Sequence, residues 1–451
     1  MDTTEKLAQF IVETGYEDMP AEAVHTAKRI AIDTLGVMIA GSQEPAGQII
    51  SSFVRSLGGK PRAWVVGKGF RTSAPNAALA NGTMAHALDY DDFQHVGMGH
   101  PTVTLLPSVL ALGEDFGTSG KAVLAALVLG FEVWSKLAAS GANPRGMGFH
   151  PTAVLGSMGA AAANAKLLGL DIKQTQMVLG FAASHAMGMG RNRGTMTKPY
   201  HAGNAARSGV TAAMLVREGF TAAPDLIEGQ FGFCNAFAGG TGGDDSKVIE
   251  NLGNPYSIVS PGIGVKKYPT CHFTHKAIDA LLQLADKYQI SPDDIADVES
   301  HVGYLAGSVL VFEEPVNYLQ GKFSMQFCLA TALLERKVGL REVTDEMVND
   351  PRIRELMKRV RLICGNEPLA RSDIVKVRLK DGREYSLAVD KARGDAGAPL
   401  TDEELISKYR DCTGTILPKD KVEQVLELML NLEQLRQVSE LMDIVGRSKK
   451  R

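Results

Sequence analysis

Through residues 1 to about 262, Ala, Leu, Met and Val recur at helical spacing, and only short Gly, Pro or Asn breaks interrupt them. The pattern predicts helix after helix: an amphipathic opening with Leu7, Phe10 and Ile11, then Glu22 to Gly41, Pro75 to Ala87, Leu105 to Phe116 and Gly120 to Ala139. So many Ala and Gly inside helical segments imply close helix–helix packing in a buried bundle. The same half repeats itself. His100-Pro101-Thr102 returns as His150-Pro151-Thr152, and Leu129-Gly130-Phe131 as Leu179-Gly180-Phe181, both at an offset of fifty; a looser third copy begins at His201. That period suggests a helical hairpin used more than once, although two clear copies do not make a solenoid.

After about residue 262 the pattern changes. A helix from Thr274 to Gln289 leads to a strand-like stretch, Ile295 to Val302, and a second helix is expected from Ser324 to Glu335. Alternation in Ile374 to Leu379 and in Tyr385 to Val389, with Asp381-Gly382 between them, predicts a hairpin. Gly394 to Pro399 reads as a linker, and Thr401 to Val445 returns to helix. The expected fold class is therefore mainly α. A large all-helical domain, 1–262, would be completed by 398–451, with a smaller α+β domain at 263–397.

A length of 451 residues suits one large and one smaller domain. With 45% hydrophobic and 22% charged residues, the composition is that of an ordinary globular protein. The net charge of -3 is spread along the chain and leaves no basic footprint for nucleic acid or anionic lipid. The one basic cluster, Arg447 to Arg451, reads as a solvated tail. A charged N-terminus does not resemble a secretory signal, and no continuous run of about 18 apolar residues predicts a membrane span. The expected location is the cytoplasm. Five cysteines, none closer than Cys328 and Cys364 at 36 positions, fit reduced, mostly buried thiols rather than an iron–sulfur site.

Three segments concentrate candidate chemistry. His86-Ala-Leu-Asp89-Tyr-Asp91-Asp92-Phe-Gln-His95-Val-Gly-Met-Gly-His100 packs carboxylates and imidazoles together. It reads as divalent-metal ligands, as imidazoles shuttling protons while a carboxylate fixes their tautomer, or simply as a polar helix end. Pro after His100 and after His150 predicts that both histidines are helix N-caps, where a bound carboxylate is favoured. The loop Gly188 to His201 brings Lys198, with Arg191 or Arg193, toward an anionic substrate; a phosphate-cradling reading is weak, because no strand precedes the glycines. The third segment, Lys266-Lys267-Tyr-Pro-Thr-Cys-His272-Phe-Thr-His275, lies where the two compositions meet. Its His272 and His275 have the spacing of a metal pair without a nearby third ligand.

Taken in order, these segments resemble the MmgE/PrpD family, which includes 2-methylcitrate dehydratase, cis-aconitate decarboxylase and iminodisuccinate epimerase. The resemblance rests on His86-Ala-Leu-Asp89-Tyr-Asp91-Asp92, Gly99-His100-Pro101, Phe149-His150-Pro151, Lys198-Pro-Tyr-His201-Ala-Gly203, Lys267-Tyr-Pro-Thr-Cys-His272 and Lys322-Phe-Ser324. It implies a homodimer, a helical domain with an α+β lid, a small di- or tricarboxylic acid as substrate, and catalysis with neither metal nor organic cofactor. It also implies catalytic roles for Asp89, His100, His150 and Lys198, and substrate contacts from Lys267 and His272, to which the loop reading adds Arg191. The family's decarboxylases carry a Thr where this chain has Phe93 and a Tyr corresponding to Phe327. Its dehydratases tend to read His-Pro-Ser-Asp, against His100-Pro101-Thr102-Val103 here. Dehydration is the expected reaction, with decarboxylation and epimerisation as alternatives on the same scaffold.

Overall fold

A computed structural model describes residues 2–239 and 242–447. The basic run at 448–451, read above as a solvated tail, lies outside them. The chain divides into two compact units, one of residues 1–191, 197–263 and 401–451, the other of 192–196 and 264–400.

The first unit is helical: α1 Thr3–Glu13, α2 Ala21–Gly41, α3 Pro45–Leu57, α4 Ala74–Ala87, α5 Thr102–Phe116, α6 Gly120–Ala139, α7 Pro151–Leu167, α8 Ile172–Ala183 and α9 Thr197–Arg217. Local signals set many of the ends. Ser119 accepts the Ala122 N–H to start α6, and Asp171 and Gln174 cap α8 reciprocally. Gly117, at φ 64°, closes α5 in the left-handed conformation that glycine adopts without penalty. The pattern did not show a short antiparallel hairpin, β1 Ala63–Val65 with β2 Phe70–Thr72. Three-residue strands are too short for alternation to register. Helices Asp402–Thr413 and Lys419–Leu430 pack on α2.

Only α6, among the described residues, has the length and apolar composition of a membrane span, and 78% of that stretch is buried inside the protein. There Glu132 accepts the backbone N–H groups of Gly253 and Ser257. It is a core helix, packed on α7 through Gly130 and Gly159, each of which faces the other's carbonyl oxygen.

Close approach is the rule in this bundle, and one example positions the site. Helix α4 crosses α9 where Gly82 meets Gly203; a methyl at Gly203 would lie 2.2 Å from the Leu79 carbonyl oxygen and 2.3 Å from Thr83 Oγ1. Gly203→Ala should therefore destabilise the protein by about 1–3 kcal/mol, as overpacking does. Urea unfolding of the purified variant checks this, and an unchanged midpoint would mean that the helices part freely.

The second unit carries a four-stranded sheet in the order β4-β3-β5-β6, with β3 Ile295–Val302, β4 Val360–Cys364, β5 Asp373–Leu379 and β6 Glu384–Val389. β5 and β6 form the antiparallel hairpin read from the alternation, with Gly382 at φ 88° in its turn. Val375, Val377 and Leu379 point into a core shared with helices His275–Lys287 and Met325–Glu335. The unexpected strand is β4, a half-exposed edge parallel to β3. Gly394 to Pro399, read as a linker, is a packed turn: the Gly394 carbonyl accepts the Val265 N–H at 2.8 Å, and Asp395 is buried.

Candidate active site

The site is built in the helical unit from the end of α4 and the starts of α5, α7 and α9. His86 occupies the last turn of α4, and Asp89 follows just beyond the C-cap with φ 53°, a left-handed conformation that Asp tolerates better than most side chains. That reversal turns the next residues back on the helix. Asp91 accepts from His86 Nδ1 at 2.9 Å and from His100 Nδ1 at 2.9 Å, so one carboxylate orients two imidazoles. His100 Nδ1 also lies 2.6 Å from the Asp92 carbonyl oxygen. Since every one of these partners is an acceptor, both rings carry a proton on Nδ1, and on His86 the lone pair is left on Nε2. For His86 that lone pair accepts from Lys198 Nζ at 2.8 Å. The same ammonium pairs with Asp89 at 3.2 Å, and His100 Nε2 lies 4.0 Å from the other Asp89 oxygen.

Two loops hold this arrangement. Residues 94–99 close into a tight turn whose Gly97 and Gly99 lie so near Trp134 that a Cβ would meet it at 2.6 and 3.0 Å. The His100 N–H donates to Thr152 Oγ1 at 3.1 Å, which ties the start of α5 to the start of α7. His150 N–H donates to the Gly188 carbonyl at 2.7 Å, stapling the loop before α9 to the same point. From the C-terminal segment, Lys408 donates to the Tyr90 carbonyl at 2.6 Å and pairs with the buried Asp33 at 2.7 Å. It thereby fixes the residue between Asp89 and Asp91.

Burial sets the electrostatics. His86 is pushed down to about 3, first by burial and then by Lys198, against the pull of Asp91. His150 lies well below its ordinary value for the same leading cause, with Lys198 next, and His201 is lowered to about 4 by burial and Lys198. Burial raises Asp91, but its two imidazole partners outweigh that and hold it well below the carboxylate range. Asp92 goes the other way, raised by burial and by Asp91, with only the Thr102 contacts opposing. The fold thus keeps His86 and His201 neutral while the unfolded chain binds protons below about 6.5, so both withdraw stability as pH falls from there toward 3 and 4. In a histidine-labelled NMR titration of the ligand-free protein, their signals should hold neutral shifts from pH 8 to about 5. A midpoint near 6.5 would contradict the burial argument.

Of the residues read from sequence, Asp89, His100 and Lys198 gather within one hydrogen-bonded cluster, and the His150 ring stacks 5.9 Å from His86. His150 is the N-cap of α7, as the His-Pro pair predicted, but His100 is not a cap: the α5 N-cap is Pro101, already helical at φ -70°, ψ -47°. Neither side chain caps its helix. Arg191 is exposed at Gly190–Asn192. In the second unit Lys267 pairs with Asp279 at 3.4 Å and His272 with Asp395 at 3.3 Å. His275 is a buried core residue beside the Thr270 carbonyl, and Phe327 is fully buried in the same core. His95 is exposed, its ring against the edge of Phe93. Sequence reasoning offered His86 and Asp91 only as members of the His86–His100 cluster, without a role of their own, and gave His201 none, although all three stand in the quoted motifs. Lys408 carried no signal at all.

His86, Asp89, Asp91 and His100 place ligand atoms within 4.8 Å of one another, a spacing a metal ion would accept. The geometry answers with another cation. Both Nδ1 atoms are protonated toward Asp91, and the Lys198 ammonium sits on His86 Nε2 and Asp89. One of the two carboxylates in the donor set is thus already paired with a cation of the chain itself.

Comparison with known proteins agrees with the ordered motifs. The MmgE/PrpD N-terminal domain matches residues 5–244 and the MmgE/PrpD C-terminal domain residues 268–434. The chain is 28% identical to the cis-aconitate decarboxylase of Homo sapiens, over 97% of this chain and 93% of that one. It is 24% identical to the cis-aconitate decarboxylase of Aspergillus terreus, over 98% and 96%. A mitochondrial 2-methylcitrate dehydratase of Yarrowia lipolytica is 24% identical, over 94% and 86%. With both domains matched in order, the chain belongs to the MmgE/PrpD family.

Proposed function

We propose that the protein is a lyase of the 2-methylcitrate dehydratase type, which removes a proton next to a carboxylate of a small di- or tricarboxylic acid and expels water. The observation that carries this reading is the pair of buried imidazoles, His100 and His150, arranged about the Lys198 ammonium through His86. Lys198 would hold a substrate carboxylate and stabilise the enediolate-like charge that develops when the proton leaves. His100 Nε2 would take that proton, its imidazolium stabilised by Asp91, while His150 donates to the departing hydroxyl. Phe93 supports dehydration over decarboxylation: its ring edge faces His100 at 5.6 Å, at the position where the family's decarboxylases carry a Thr.

Decarboxylation is the second reading, favoured by cis-aconitate decarboxylases that align with nearly the whole chain. On that reading the proton goes to carbon and no base is needed. Proton NMR in D2O with citrate, 2-methylcitrate, the aconitate isomers and iminodisuccinate separates the cases. Water loss from citrate or 2-methylcitrate is the expected result. Loss of CO2 from an aconitate, or deuterium entry into iminodisuccinate alone, would replace dehydration by the corresponding reaction.

Lys198→Ala should raise KM as well as lower kcat, because a carboxylate anchor serves ground state and transition state alike. Loss of one charged, desolvated contact is commonly worth about 2–5 kcal/mol, or roughly 30- to 5,000-fold in kcat/KM. Steady-state kinetics with the turned-over acid checks this, and a pure kcat effect would remove the anchoring role.

A further inference from the structure

His201 has no part in the reaction so far, yet its Nδ1 lies 3.2 Å from Nδ1 of His150, with ring centroids 5.4 Å apart. Both side chains are buried, at 5% and 7% exposure. Gly188 closes over the pair: its carbonyl takes the His150 N–H, and a Cβ there would meet Ala153 at 2.8 Å and the His201 ring at 3.2 Å. The charged and titratable groups around them are Lys198, one turn earlier on α9, with His86 and His100. Burial beside that ammonium keeps both rings neutral. Two neutral imidazoles can meet through Nδ1 only if one donates and the other accepts. The pair must therefore hold opposite tautomers, one protonated on Nδ1 and the other on Nε2.

We propose that His150 and His201 form a two-imidazole relay, in which His201 replaces from solvent the proton that His150 gives to the substrate. This rests on the reading of His150 as the acid. In the step, the His150 Nε2–H bond breaks and its proton joins the departing oxygen. The His201 Nδ1–H proton moves to His150 Nδ1, and His201 Nε2 takes a proton from hydronium. Each ring ends neutral with its tautomer exchanged, and one proton has passed from solvent to substrate. After product release, water returns a proton to His150 Nε2, the His150 Nδ1–H proton moves back to His201 Nδ1, and His201 Nε2 releases its proton to water, restoring the start. A buried acid that lost its proton without such a partner would be left as an imidazolate beside His86. His201 is accordingly a positioning residue that acts through His150.

The test uses His201→Asn, whose amide can occupy the Nδ1 position as a hydrogen-bond partner but cannot pass a proton onward. The relay predicts kcat lower by roughly 10²-fold or more, KM within about twofold, and partial recovery on adding imidazole, to which the wild type does not respond. Unchanged kcat, or a loss that comes with a matching loss of folded protein, would overturn it. A second measurement needs no substrate. In histidine-labelled wild-type protein near pH 7, one downfield proton should correlate with Nδ1 of both rings, and the variant should lose it. Two rings of the same tautomer would end the proposal. If no polycarboxylic acid is turned over, the proposed reaction falls, while the NMR result still decides the pair.

Discussion

Changing His150 to glutamine lowers kcat by roughly 10²–10⁴ and leaves KM nearly unchanged, as expected for a group that acts on the proton in the transition state rather than on the bound acid. The competing account is structural, because His150 is also the N-cap of α7. Its side chain, however, makes no capping hydrogen bond. What glutamine disturbs is the contact to His201 and the stacking on His86, worth about 0.5–1.5 kcal/mol for one net hydrogen bond. Thermal unfolding should therefore shift by only a few degrees, while turnover per folded molecule collapses. Near-wild-type turnover with a lowered melting temperature would take His150, and with it the repeated His-Pro motif, out of the chemistry.

The second large effect belongs to a residue that need not touch substrate. Asp91→Asn should reduce kcat by about 10³–10⁴, in line with the tautomer error made by asparagine behind a catalytic imidazole. Asp91 accepts from two Nδ1–H groups at once. An asparagine offers one acceptor oxygen and one donor NH2, so one ring must move its proton to Nε2. If His100 switches, the proposed base has lost its lone pair; if His86 switches, an N–H points at the Lys198 ammonium 2.8 Å away. Kinetics and the histidine NMR spectrum of the same sample check both halves. A loss of less than tenfold with unchanged tautomers would show that the neighbouring Asp92 carbonyl suffices to orient His100.

Helical periodicity and the Asp-Gly hairpin were legible because each is a local pattern repeated over many residues. The strands Ala63–Val65 and Val360–Cys364 were not, one too short to alternate and the other a half-exposed edge. Within the site, the His-Pro repeat correctly marked the start of α7. It missed by one residue at α5, where Pro101 is itself helical. The motif around Asp89 to Asp92 put carboxylates and imidazoles close in sequence, with metal ligation, proton shuttling and a plain polar helix end all open. Which carboxylate oriented which ring depended on the left-handed turn at Asp89, a backbone choice that residue type alone does not declare. Lys408 lay further still from view: it reaches the Tyr90 carbonyl across 318 positions, and no local sequence feature ties the two together.

The Gly82–Gly203 crossing acts as a fulcrum for the site. One arm, α4, carries His86 in its last turn and leads to Asp89, seven positions beyond Gly82; the other, α9, carries Lys198 in its first turn, five positions before Gly203. With the two backbones already touching, the gap between ammonium and carboxylate cannot be adjusted by sliding either helix. If Lys198 is the anchor proposed above, a scaffold pinned in this way presents it at one fixed height, and divergence toward a different acid must work through the side chains around the site, among them Phe93 beside His100.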